Sequence, residues 1–227
     1  MLPRVHQFAT QDLLLAALQT RITALADACL QQRGCFSIIL AGGATPRKLY
    51  QQLRNLSTDW RHWHVYFGDE RYLPAGDPAR NDSMANAAWL DHVPIPPAQI
   101  HRVPSASDVA TAAAAYAVVL EQAPGFDLAL LGLGEDGHTA SLFPGELTAC
   151  NSTALAIAIT NAPKPPPQRV SMTPACLSKP TAVWFMVTGD SKRQALQEWL
   201  AGAQLPPLSI KPRGGIDIFT DIAVSLR

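Results

Sequence analysis

The chain has 227 residues, 48% of them apolar, enough to bury a full core as one large or two small domains. Its 18 basic and 18 acidic residues balance to a formal net charge of +0, which argues against a nucleic-acid coat or a polybasic membrane patch and makes any basic cluster local. The four cysteines (Cys29, Cys35, Cys150, Cys176) have neither CxxC nor zinc-ligand spacing and read as small buried hydrophobes in a reducing compartment. The opening MLPRVHQFAT has no apolar h-region, and no apolar run approaches about 18 residues, so a cytoplasmic chain without membrane spans is expected.

Helical and strand patterns then alternate. Thr10 is placed to cap a helix whose apolar face reads Leu14, Leu18, Ile22, Leu25 and Cys29, with Gly34 as its stop. Cys35–Leu40 is a short apolar strand, followed by the loop AGGATP, where Thr45 can cap a helix and Pro46 suits its first position. His64–Phe67 starts a second strand that runs into GDER. Ser83–Leu90 and Asp108–Gln122 read as helices, and Leu128–Leu131, Ala154–Ile159 and Val183–Val187 as strands. Ser191–Leu200 is a helix, and Ile216–Phe219 is a last strand before a short terminal helix. This order predicts an α/β chain of right-handed βαβ units, with a mostly parallel sheet covered by helices on both faces. No repeat, low-complexity tract or long linker interrupts it, and Pro163–Pro167 is too short to separate domains. Residues 1–227 are expected to form one domain.

Four segments carry chemistry. In Phe126–Gly145, FDLALLGLGEDGHTASLFPG, an apolar strand stops at a loop with three glycines, two acids and a histidine: Gly132, Gly134, Glu135, Asp136, Gly137 and His138. Loops beyond the carboxyl ends of strands are where α/β sheets bind ligands, and an imidazole can exchange protons near neutral pH. His138 is therefore the first candidate for a catalytic base. The segment LAGGATP, Leu40–Pro46, joins a strand, a glycine pair, a hydroxyl and a helix start, a geometry that can receive a phosphate on open N–H groups. It is neither a Walker loop nor a GxGxxG fingerprint, and a lone glycine pair is more often an ordinary βα turn. In GDER, Gly68–Arg71, the carboxylates could accept sugar hydroxyls while Arg71 grips an anion or polarises a carbonyl; a surface salt-bridge cluster is the plainer alternative. Lys164, Arg169 and Lys192 each read alone as ordinary solvated charges, but together they could neutralise a phosphate dianion at one rim of the sheet. Other chemistries have less support. No GxSxG elbow surrounds Ser141, and His62 with His64 lacks a third ligand at metal-site spacing.

These residues resemble the 6-phosphogluconolactonases, within the wider superfamily that includes glucosamine-6-phosphate deaminase. The resemblance spans nearly the whole chain: GGATP at Gly42–Pro46, GDER at Gly68–Arg71 with Asn81 following, FDLALLGLGEDGHTASLFP at Phe126–Pro144, APKPPPQRVSMT at Ala162–Thr173, and VTGDSKRQAL at Val187–Leu196. It implies a Rossmann-like three-layer fold and hydrolysis of 6-phospho-D-glucono-1,5-lactone to 6-phospho-D-gluconate in the oxidative pentose phosphate pathway. It also implies that no metal or organic cofactor is needed. In the family pattern a serine precedes the glycine pair and a Ser or Thr follows it, where this chain has Ala41 and Ala44. A side-chain hydroxyl contact to phosphate from this loop must then come from Thr45.

On that reading His138, Arg71 and Asp69 carry the catalysis: His138 activates water, Arg71 or loop N–H groups stabilise the oxyanion, and Asp69 orders substrate hydroxyls or Arg71. Asp136 is a candidate to orient His138. Gly42, Gly43, Ala44, Thr45, Asp136, Lys164, Arg169 and Lys192 are expected to bind the phosphorylated sugar lactone. The partners expected are that small molecule only, with no nucleic acid and no membrane, and a monomer. A glucosamine-6-phosphate deaminase or isomerase is the nearer alternative; those enzymes carry an aromatic residue at the position of Arg71 and lack the APKPPPQR run. A sugar-phosphate sensor of a transcription regulator is the more distant one, and about 35 residues before the first strand, read as one helix, leave little room for its DNA-binding segment.

Overall fold

The computed structural model describes residues 3–146, 149 and 151–224. Seven strands form one sheet: β1 (Arg4–Gln7), β2 (Phe36–Leu40), β3 (Trp63–Phe67), β5 (Ile100–His101), β6 (Leu128–Gly132), β9 (Ala182–Val187) and β10 (Ile216–Thr220). Their order is β1-β10-β9-β6-β2-β3-β5, and every neighbouring pair is parallel. Three more strands, β4 (Asp69–Arg71), β7 (Ala156–Ile159) and β8 (Arg169–Met172), make a small antiparallel sheet ordered β4-β8-β7.

The central strands are apolar at nearly every position because both faces of the large sheet are covered. Successive residues alternate between two cores: Ile38 and Leu40 of β2 and Leu128 and Leu130 of β6 face one, while Ile39, Ala129 and Leu131 face the other. The first core is closed by α1 (Gln11–Arg33), α2 (Ala44–Leu53) and α3 (Asn81–Ala88). The second is closed by α4 (Val109–Glu121), α5 (Pro174–Leu177) and α6 (Arg193–Leu200), together with Val170 and Met172 of the small sheet. The layering expected from the alternating pattern is thus present.

Local chemistry sets the boundaries. The Thr10 hydroxyl accepts from the Leu13 amide at the start of α1, and Gly34, at φ 74°, ends that helix in the left-handed region. Asp108 caps α4 through the Thr111 amide. The helix after the glycine pair differs from expectation. Gly43 is its N-cap, no side chain caps it, and Thr45 and Pro46 lie inside its first turn. Proline is tolerated there because its missing N–H would have had no partner.

Other differences concern the small sheet and the ends. Arg4–Gln7 is a strand paired with β10, so the residues before Phe36 are not one helix alone. Ala156–Ile159 belongs to the antiparallel sheet rather than the parallel one, a distinction that an apolar run of this length does not encode. Asp69–Arg71 is a strand of the small sheet rather than the end of the parallel strand that runs into it, and the register Arg71↔Arg169 holds it to β8. A 3-10 turn, Asp190–Lys192, takes the start of the helix expected from Ser191. Residues 221–224 are not helical, and the rest of the expected terminal helix, like Cys150, lies outside the described residues. By length and composition α1 could cross a membrane (mean hydropathy 1.4), although Arg21 and Asp27 break its apolar run. Its Leu14, Leu18, Ile22 and Ala26 are fully buried against the sheet.

Candidate active site

β2 and β6 lie side by side, but the chain leaves β2 towards β3 and β6 connects onward to β9 on the opposite side. A crevice opens where the strand order reverses in this way. The loops after β2 and β6, with residues from β4, β8 and the turn after β9, frame a cleft of about 380 Å³. Of the residues expected in the site, Gly42, Gly43, Ala44, Thr45, Asp69, Arg71, His138, Arg169 and Lys192 all line it. Asp136 and Lys164 do not, and each contacts a residue that does.

The loop after β2 is shaped by close approach. A Cβ on Gly42 would sit 2.0 Å from Asn81 Oδ1, so only glycine lets the loop pass α3. Gly43 adopts φ 113°, and the first turn of α2, whose amides no side chain caps, lines the cleft at the positive end of the helix dipole. The amide of Ala41 is not available to a ligand, because Tyr50 Oη accepts from it at 3.0 Å and donates to the Ala41 carbonyl at 2.8 Å. Thr45 is the hydroxyl of this loop, and it meets Thr188 Oγ1 at 2.6 Å.

GDER divides its labour. Asp69 accepts from Ser141 Oγ at 2.5 Å and from Asn81 Nδ2 at 3.2 Å, which fixes its carboxylate at the cleft wall. Ser141 is fully buried and spent on this bond. Glu70 does not reach the cleft: its oxygens accept from the backbone amides of Arg71, Asn81 and Asp82 at 2.7, 2.7 and 2.8 Å, which pins the start of α3. Burial, with Asp82 close by, pushes the Glu70 carboxyl up to about 7. Arg71 stands opposite Arg169 across the strand pair. Arg169 is buried, donating from Nε to Pro166 O at 3.1 Å and from Nη2 to Lys164 O at 2.9 Å, while Nη1 has no such partner among the described residues. Its guanidinium is held below its ordinary value by burial and by Arg71, with Asp69 opposing. Two arginines this close favour an anion between them.

The β6 loop builds the histidine. Gly134 N–H donates to His138 O at 2.7 Å and Gly137 N–H to Gly134 O at 3.1 Å, folding GEDGH back on itself. Gly137 makes this turn at φ 82°. The fold-back brings Asp136 Oδ1 to 2.5 Å from His138 Nδ1. Burial raises the Asp136 carboxyl, but the bond from His138 and its charge outweigh that and leave it below the ordinary range. An ionised Asp136 accepts a hydrogen bond from Nδ1–H, which leaves Nε2 free to accept a proton. Gly134 has no room for more, since a Cβ there would lie 2.0 Å from His138 Nδ1.

Lys192 comes from the turn before α6, and burial lowers its ammonium below the usual value. Its Nζ is 3.8 Å from Glu135 Oε1. Lys164 is exposed and does not line the cleft; its carbonyl accepts from Arg169 Nη2 and its charge lies near Lys192. Thr188, Gly68 and Met186, none of them among the expected site residues, also line the cleft. His62 does not share a strand face with His64: it lies in a 3-10 turn 3.7 Å from Asp59, and His64 stacks on His101. Among the described residues no three His, Cys, Asp or Glu side chains converge in a way that could hold a metal ion.

A family model described as glucosamine-6-phosphate isomerases/6-phosphogluconolactonase matches residues 9–218. The chain belongs to the glucosamine-6-phosphate isomerase/6-phosphogluconolactonase family. Within that family it is 34% identical to the 6-phosphogluconolactonase of Mycobacterium tuberculosis over 226 residues, covering 93% of this chain and 91% of that one. The 6-phosphogluconolactonase of Synechocystis is 36% identical over 230 residues, covering 94% and 93%. Among solved structures, the 6-phosphogluconolactonase of Thermotoga maritima superposes with a TM-score of 0.89 at 26% identity, covering 96% of this chain and 99% of that chain. That of Trypanosoma brucei gives 0.82 at 27% identity, covering 96% and 95%.

Proposed function

We propose that this family member hydrolyses 6-phospho-D-glucono-1,5-lactone to 6-phospho-D-gluconate, as enzymes of the oxidative pentose phosphate pathway do. The observation that carries the reading is one cleft that holds both parts of the chemistry. The His138–Asp136 pair, the uncapped first turn of α2, Arg169 and Lys192 all meet at it. A phosphate dianion fits where helix dipole, guanidinium and ammonium act together.

Phosphate held there by Gly42, Gly43, Ala44, Thr45, Arg169 and Lys192 turns the lactone carbonyl towards His138. His138 Nε2 takes a proton from water as its oxygen attacks C1, while Asp136 holds Nδ1–H and stabilises the imidazolium. Arg71 faces the developing oxyanion, and Asp69 accepts from substrate hydroxyls. Collapse of the tetrahedral intermediate breaks the bond from C1 to the ring oxygen, and His138 returns the proton to that oxygen. In this account all of residues 1–227 act as one domain and as a monomer, without metal or organic cofactor, in the cytoplasm. The unpaired Cys29, Cys35 and Cys176 agree with that compartment.

The test is an assay of freshly generated lactone with spontaneous hydrolysis subtracted, beside an assay for ammonia released from glucosamine 6-phosphate. Catalysed lactone opening without ammonia is expected. Ammonia release with no lactone opening would overturn the reading.

A further inference from the structure

A chain of polar contacts runs from the surface to the cleft through residues that do not themselves line it. Exposed Lys48 donates from Nζ to Gln11 Oε1 at 2.5 Å. Gln11 Nε2 lies 3.0 Å from Thr188 Oγ1 and 3.3 Å from Thr45 Oγ1, and the two threonine oxygens are 2.6 Å apart. Three elements meet here: the first residue of α1, the first turn of α2 and the residue after β9. Only Thr45 and Thr188 line the cleft.

Counting protons gives this cluster a direction. A lysine ammonium can only donate, so the amide atom facing Lys48 must be the oxygen. The NH₂ group is then aimed at the threonines, and each of its two hydrogens meets one hydroxyl oxygen. The threonines carry two hydroxyl hydrogens between them. One is used in the bond from one hydroxyl to the other, in whichever sense it runs. The remaining hydrogen has no acceptor in this cluster and belongs to a residue on the cleft wall. Every contact supplied to the pair from outside is a donor, so the pair has a donor left for a ligand and prefers an acceptor-only partner such as a phosphate oxygen.

We infer that Gln11, with its amide oriented by Lys48, is a positioning residue that fixes the Thr45–Thr188 pair so that its one free hydroxyl hydrogen donates to the substrate phosphate. The inference rests on the proposed placement of phosphate in this cleft. It also assigns Thr188 a binding role beside Thr45, which offsets the hydroxyls missing at Ala41 and Ala44.

The test is the ratio of kcat/KM for the phosphorylated lactone to that for unphosphorylated glucono-1,5-lactone, measured in wild type, Gln11→Met and Gln11→Glu. Inorganic phosphate is run in parallel as a competitive inhibitor of the unphosphorylated lactone. Gln11→Met keeps the length of the side chain and removes the donors; Gln11→Glu turns them into charged acceptors. Mispositioned hydrogen bonds to an anion cost about tenfold, rising towards about 100-fold when a like charge is added. The ratio should therefore fall about tenfold in Gln11→Met and further in Gln11→Glu, through KM rather than kcat, with the phosphate inhibition constant rising in step. A fall shared equally by both lactones, or an unchanged phosphate inhibition constant in the folded variants, would overturn the inference. A wild-type enzyme that does not prefer the phosphorylated lactone and is not inhibited by phosphate would instead remove the placement of phosphate on which the inference stands.

Discussion

Replacing Gly134 by alanine tests the catalytic geometry without touching a catalytic side chain. Gly134 is not among the glycines with positive φ, so alanine meets no backbone strain there. The added methyl would lie 2.0 Å from His138 Nδ1, 2.3 Å from Cε1 and 2.4 Å from Asp136 Oδ1. Ordinary contact for such atoms begins near about 3.4 Å, so the imidazole must retreat by about 1 Å or more or swing away. Either movement breaks the 2.5 Å bond between Nδ1 and Asp136 and carries Nε2 away from the attacking water. A misplacement of about 1 Å at a general base costs roughly 100-fold. Gly134→Ala should therefore lose about 100-fold in kcat, with its melting temperature and its affinity for product close to wild type. The assay is steady-state lactone hydrolysis with the spontaneous rate subtracted, alongside thermal melting and product inhibition. A folded Gly134→Ala enzyme with near-normal kcat would refute the claim that the placement of His138 by this loop limits the chemistry.

Two further outcomes follow from the same geometry. Arg169→Ala should weaken use of the phosphorylated lactone by about 10- to 150-fold, as expected for loss of a charge-assisted bond of about 1.5–3 kcal/mol, and affect the unphosphorylated lactone far less; equal losses on both would place Arg169 outside phosphate recognition. Glu70, raised to about 7 in the folded protein against an ordinary 4.5, binds its proton more tightly folded than unfolded, so its contribution to stability falls as pH rises across that window. The amide introduced by Glu70→Gln has no such charge to bury; denaturant melts should show this variant less stable than wild type at pH 5 and the gap narrower at pH 8, and a gap that widens would contradict the assignment.

The parallel core was legible because its physics is local. Strands such as Phe36–Leu40 and Leu128–Gly132 are apolar at nearly every position, as strands covered on both faces must be, and their glycine-rich exits mark the crevice. The small antiparallel sheet was not legible. Its strand Arg169–Met172 places an arginine that periodicity assigns to a rim in a buried position, and its partner Asp69–Arg71 is only three residues long. For the same reason Glu70 could be read as a substrate ligand: whether a carboxylate points to a cleft or to the amides of α3 depends on a strand pairing that adjacent residues do not reveal. The question of which carboxylate orients His138 required the turn closed by Gly134 and Gly137. Gln11 lies in no motif, and nothing within VTGDSKRQAL marks Thr188 as a ligand; only the approach of α1, α2 and the end of β9 brings the two together.

The most direct measurement of the central claim is the turnover of His138→Asn on freshly prepared 6-phospho-D-glucono-1,5-lactone, with the spontaneous rate subtracted. Asparagine keeps a polar group beside Asp136 but cannot accept a proton from water at neutral pH. A general base contributes about 10²–10⁴-fold, so turnover should fall by about that factor while 6-phospho-D-gluconate binding is largely kept. A His138→Asn variant that retains most of its catalysed turnover would contradict the account and leave the water to be activated by Asp69 or Asp136.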